Sequence, residues 1–156
     1  MNVSQVINRF NNANSEEDTI DLDILKGFTI IVVDSDKDIV CLITEILEIY
    51  GIHVLKAWSA KSAFEIIKQS PVDLLISDIT MLEEDGYWLI QKVRTLTLLQ
   101  KREIPAIAFT GNAEDKEKKK ALDSGFQTYI EKPGGVEVLV TEIAKLLKIA
   151  VQSSSL

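Results

Sequence analysis

Apolar residues along this 156-residue chain fall into two alternating patterns. Short continuous runs bounded by Pro, Gly or polar residues read as buried parallel strands, and longer stretches with apolar residues every three or four positions read as helices with one face inward. Residues 28–34, 52–57, 71–78, 105–110 and 127–132 are of the first kind. Ile39, Val40, Ile43, Ile46, Leu47 and Tyr50 set a helix stopped by Gly51, and Ala63, Phe64, Ile66 and Ile67 set a second one ended by Ser70-Pro71. A third helix is expected over 85–98 around Trp88, Leu89 and Val93, and a fourth over 113–124. A fifth, over 136–150, has Val138, Leu139, Ile143, Leu146 and Leu147 inward. Strands alternating with helices predict an α/β fold with a doubly wound parallel sheet.

Residues 1–26 depart from this pattern. Asn8, Asn11, Asn12 and Asn14 precede the acidic run Ser15-Glu16-Glu17-Asp18, so the stretch reads as an appendage, either disordered or a short helix carrying Val3, Val6, Ile7 and Phe10 on one face. One domain is then expected over 27–150, with a tail at 151–156 and no room for a second, output domain. With 46% hydrophobic and 26% charged residues, the chain can bury a core as a soluble globular protein.

A net charge of -7 argues against general nucleic-acid or anionic-membrane binding, because both require a basic face. No apolar run approaches the roughly 18 residues of a membrane span, so the expected location is the cytoplasm. The single cysteine, Cys41, lies in a helical pattern and reads as a packed thiol. His53, the only histidine, reads as a surface or half-buried strand residue, and no His/Cys cluster or glycine-rich phosphate loop is visible.

The strand ends carry the chemistry. The run at 71–78 ends on Asp78 and that at 28–34 on Asp34, while the run at 105–110 ends on Thr110 and that at 127–132 on Lys132. Ligands of open α/β sheets bind outside the carboxyl ends of the strands. Two carboxylates, a hydroxyl and an ammonium converging there suit a magnesium and phosphoryl site, because the cation takes hard oxygen ligands and a transferred phosphoryl needs donors for its oxygens.

The order Asp34, Asp78, Thr110, Lys132-Pro133, with Asp85-Gly86-Tyr87 and Leu122-Asp123-Ser124-Gly125-Phe126 between them, resembles the receiver domain of two-component response regulators. The resemblance runs from about Gly27 to Ile149 and implies a flavodoxin-like sheet of five strands in the order 2-1-3-4-5 flanked by five helices. It implies a single-domain response regulator whose Asp78 accepts a phosphoryl group from a histidine kinase or histidine phosphotransfer protein. Mg²⁺ would be held by Asp34, Asp78 and the backbone carbonyl of Thr80. Lys132 would pair with Asp78 at rest and with a phosphoryl oxygen afterwards, and Thr110 would donate its hydroxyl. Thr110 and Tyr129 would pass the change to the face of the fourth helix, fifth strand and fifth helix, where a downstream target protein docks; a homodimer is left open. Such a protein is a phospho-acceptor rather than an enzyme.

One departure bears on the metal. The family has two adjacent acids after its first strand, whereas this chain has Asp34-Ser35, so Mg²⁺ binding is expected to be weak, with Asp36 the only nearby carboxylate able to compensate. Asp36 also reads as a helix cap. A pseudo-receiver that docks without phosphorylation is the alternative. Residues 31–38 also resemble the nucleophile motif of haloacid-dehalogenase-type phosphatases, with Asp34 as nucleophile and Asp36 as general acid. That family needs a later acidic pair, and only Glu137 and Glu142 lie beyond Lys132.

Overall fold

The structure, a computed structural model, describes residues 22–112, 114–132 and 136–154, with the side chains at 136–137 and 151–154 outside that description. The stretch proposed as a short N-terminal helix, and Pro133, lie outside the described residues. Five strands form one parallel sheet: β1 (Thr29–Val33), β2 (His53–Ala57), β3 (Leu74–Ser77), β4 (Ala106–Thr110) and β5 (Thr128–Glu131), in the order β2-β1-β3-β4-β5. They alternate with helices α1 (Lys37–Ile49), α2 (Ala60–Gln69), α3 (Gly86–Val93), α4 (Asp115–Ser124) and α5 (Val136–Ser154). This is the doubly wound architecture and strand order that the sequence led us to expect.

Every residue of β3 and β4 is buried, which is why both read as unbroken apolar runs rather than alternating ones. Successive strand side chains point to opposite faces and feed two cores. Ile30, Val32, Leu74, Ile76, Ile107 and Phe109 pack with α1 and α5 through Val40, Ile43, Leu47, Leu139, Ile143 and Leu147. Ile31, Val33, Leu75, Ala106 and Ala108 pack on the other face with α2, α3 and α4 through Ala63, Ile67, Leu89, Ile90, Val93 and Ala121. Leu25, in a single turn of 3-10 helix at Leu22–Leu25, is fully buried in the first core.

Side-chain caps start the helices next to the site. Asp36 accepts from the Asp38 amide at 2.9 Å to open α1, and Asp85 accepts from the Trp88 amide at 2.8 Å to open α3.

Several local expectations need correction. The third helix ends at Val93 instead of continuing to Leu98: the amides of Thr95 and Leu96 donate to the carbonyls of Lys92 and Val93, three residues back, and the Thr95 hydroxyl also donates to Lys92 O at 2.7 Å. The chain that follows makes a separate helical turn at Leu99–Arg102. Cys41 is exposed rather than packed, and Val138 is half exposed rather than inward. The last helix runs on to Ser154, through most of the expected tail.

Candidate functional site

Because the strands are parallel and nearly in register, their carboxyl ends meet. Backbone bonding continues one residue past each strand: the Asp34 amide donates to Ala57 O, the Asp78 amide to Val33 O and the Lys132 amide to Thr110 O, at 3.2, 2.9 and 2.8 Å. These bonds fix the Cα positions from which three of the four expected site residues project. Asp34, Asp78 and Thr110 are all buried.

Each carboxylate divides its two oxygens in the same way. Oδ1 of Asp34 accepts from the Asp36 amide at 2.9 Å and Oδ1 of Asp78 from the Ile79 amide at 2.8 Å. Both Oδ2 atoms face Lys132, whose Nζ donates to Asp34 Oδ2 and lies 3.2 Å from Asp78 Oδ2. One ammonium thus lies between two buried acids, paired with Asp78 and closer still to Asp34. Burial holds the Asp34 carboxyl above its ordinary range, with the Asp78 charge adding to this, against the lowering effects of Lys132 and the Asp36 amide.

The loop after Asp78 is set by Gly86. Its amide donates to Ile79 O at 2.8 Å, and a Cβ at this position would lie 2.3 Å from the Asp78 carbonyl oxygen and 2.8 Å from Ile79 Cα. Only glycine lets the start of α3 approach the end of β3 this closely. The chain reaches Gly86 through Glu83, which adopts a left-handed φ of 64°.

Thr80 stands exposed in this loop and Ser35 at the mouth of the site. The Asp36 carboxylate is engaged as the α1 cap. Among the described residues no three His, Cys, Asp or Glu side chains converge on one point. Two hard carboxylates nevertheless fit Mg²⁺, which is commonly held by one or two carboxylates while keeping several waters.

Beside the site the sequence reading missed a link. The Tyr87 hydroxyl donates to Glu117 Oε2 at 2.6 Å, and Lys120 Nζ lies 4.4 Å from the Tyr87 ring centroid. Tyr129 sits nearby, with a buried hydroxyl that has no hydrogen-bond partner among the described residues. Both tyrosines are held above their ordinary pKa, chiefly by burial and further by the Glu117 charge. Nothing in the one-dimensional pattern pairs residue 87 with residue 117.

A family model of the response regulator receiver domain matches residues 30–144. The chain belongs to this family. It is 39% identical over 109 residues to an uncharacterised 14.6 kDa protein of Leptolyngbya boryana, covering 70% of this chain and 82% of that one. It is 33% identical over 121 residues to a probable transcriptional regulator, ycf29, of Porphyra purpurea, where it spans 78% of this chain and 57% of the relative. The receiver domain of the Francisella response regulator 1452 superposes with a TM-score of 0.73 at 27% identity, over 80% of this chain and 99% of that one. A CheY-like receiver domain protein from Methanospirillum hungatei gives 0.74 at 26%, over 81% and 98%.

The protein is therefore a receiver-type signalling module, and the phosphatase-type likeness of residues 31–38 is set aside. Among the described residues no helix is long and apolar enough to cross a membrane.

Proposed function

We propose that this receiver acts as a single-domain response regulator in the cytoplasm, taking a phosphoryl group on Asp78 from a histidine kinase or histidine phosphotransfer protein and signalling by docking to a target protein. The observation that carries this reading is the convergence of Asp78, Asp34, Thr110 and Lys132 at adjacent strand ends, with Lys132 Nζ 3.2 Å from Asp78 Oδ2.

In the step itself an Asp78 carboxylate oxygen attacks the phosphorus of the donor's phosphohistidine in line. An O–P bond forms, the N–P bond breaks, and the imidazole leaves with the electron pair. Lys132, already beside Asp78 Oδ2, follows the developing charge onto a phosphoryl oxygen, while the Thr110 hydroxyl donates to another. The backbone bonds of the strand ends hold these groups in place, so little reorganisation accompanies transfer. Asp34, Asp78 and the Thr80 carbonyl would hold Mg²⁺, which when bound supplies neutralising charge for the crowded anions.

Incubation with Mg²⁺ and acetyl phosphate, followed by intact mass, tests the reading. A gain of one phosphoryl group, lost in Asp78→Asn and kept in Asp34→Asn at a reduced rate, is the expected result; label that survives Asp78→Asn refutes it. One observation favours a second reading, a pseudo-receiver that docks without phosphorylation: Ser35 supplies no charge, and Lys132 is held most closely by Asp34. That reading expects no labelling and target binding indifferent to Asp78→Asn.

A further inference from the structure

At the opposite end of the sheet from Asp78, about a strand length away, the surface opens into a groove of about 950 Å³. Val72, Leu99, Ile104, Leu146, Ile149 and Ala150 line it, between the end of α2, the helical turn at Leu99–Arg102 and the last turns of α5. Its walls are fixed: Lys101 Nζ donates to the carbonyls of Ile67 and Ser70, at 2.5 and 3.1 Å. Yet Leu98 at its edge and Leu99 and Ile149 on its lining are 58%, 54% and 59% exposed, which leaves a cluster of large apolar side chains in water.

We infer that this groove is the docking site for the chain's own N-terminal segment, through Val3, Val6, Ile7 and Phe10. The described chain starts beside it. Leu22 packs half-buried in the same core cluster as Leu146, and the Thr29 amide that opens β1 donates to Asp73, a groove residue, at 2.8 Å. The four apolar residues recur at helical spacing within one short stretch, and the mostly polar residues 11–21 that follow would serve as its tether.

The tether is long enough. Twelve residue steps separate Phe10 from Leu22, which gives a root-mean-square reach of about 19 Å and a limit of about 40 Å for a flexible chain. A segment tethered at that distance meets the groove at an effective concentration in the millimolar range, so a modest apolar contact suffices. A helix this short is marginal in water, so its order depends on the groove. The phosphoryl chemistry at the other end of the sheet does not enter this inference.

Hydrogen exchange of the full chain tests it, with one variant in the segment and a second at Ile149, which is exposed. In Val6→Asp/Phe10→Asp, and separately in Ile149→Asp, amides of residues 98–104 and 146–150 should exchange roughly tenfold faster than in the parent, with β3 and β4 unchanged. Unchanged exchange in both variants overturns the proposal. Protection that appears only as protein concentration rises also overturns it, by assigning the groove to a second copy. A spin label at Ser4→Cys in a Cys41→Ser background should broaden the methyl signals of Leu99 and Ile149, and methyls left sharp would refute docking.

Discussion

Tyr87 donates its hydroxyl to Glu117 Oε2 at 2.6 Å, a single hydrogen bond that ties the start of α3, fixed by Gly86 at the end of β3, to the neighbouring helix α4. The bond ends on a charged acceptor and is partly buried. It connects the loop that follows Asp78 with the helix expected to carry the output.

Removing this bond in Tyr87→Phe should cost about 1–2 kcal/mol, since bonds to charged groups are worth more than neutral ones. The loss should grow smaller at high pH. Tyr87 is held well above its ordinary value near 10, so the unfolded chain releases this proton first and the native state binds more protons. The contribution is then complete below about pH 10 and is lost as pH rises beyond it. Tm measured from pH 8 to 11 should fall more steeply for the parent than for Tyr87→Phe; parallel curves would contradict the linkage.

Asp34 gives the reverse of the usual carboxylate behaviour. Its folded-state pKa is raised, chiefly by burial, so the native state binds the extra proton and stability from this group is lost as pH climbs from about 4 through the raised value. At neutral pH without metal, ionised Asp34 therefore costs stability. Asp34→Asn keeps one acceptor oxygen, for the Asp36 amide, leaves Lys132 to Asp78, and has no charge to bury, so it should melt higher than the parent in EDTA at pH 7. Its difference from the parent should vanish near pH 3. A lower Tm for the variant at pH 7 would show that the Lys132 ion pair outweighs desolvation.

Gly86→Ala should be severe, because the added methyl meets backbone atoms that no rotamer change can move. A loss of about 3 kcal/mol is expected, at the upper end for overpacking. Urea titration checks the magnitude, and phosphoryl labelling should fall with it because the Asp78 carbonyl must shift.

Ser35→Asp should tighten Mg²⁺ binding about tenfold or more, corresponding to about 1–3 kcal/mol for one further anion, beside Asp34 and Asp78, at the site mouth. Titration followed by Trp58 fluorescence or by NMR reads this directly. If the parent binds as tightly as Ser35→Asp and loses binding in Asp36→Asn, then Asp36 leaves its cap to serve as a ligand.

The strands and the residues that end them were legible because a parallel strand buried on both faces must be continuously apolar, and the first polar residue after it marks the sheet edge. Residues 74–78 and 106–110 illustrate this. Asp34, Asp78 and Thr110 stand at such strand ends; Lys132 follows the partly buried β5 and was marked instead by the Pro133 after it, while the capping of α1 by Asp36 followed from its position before a helical pattern. Helix limits were less legible where the backbone tightens, as it does where the Thr95 and Leu96 amides bond to carbonyls three residues back.

What only the tertiary structure decided is how groups distant in sequence share partners. Lys132 lies 98 residues from Asp34, and its preference for that carboxylate depends on where the ends of β1 and β5 come to rest. Tyr87 finds Glu117 across 30 residues because α3 and α4 pack on the same face of the sheet. Cys41 and Val138 turn outward although their neighbours turn inward. Periodicity specifies which residues can be apolar; the angle at which each helix lies on the sheet selects which of them are covered.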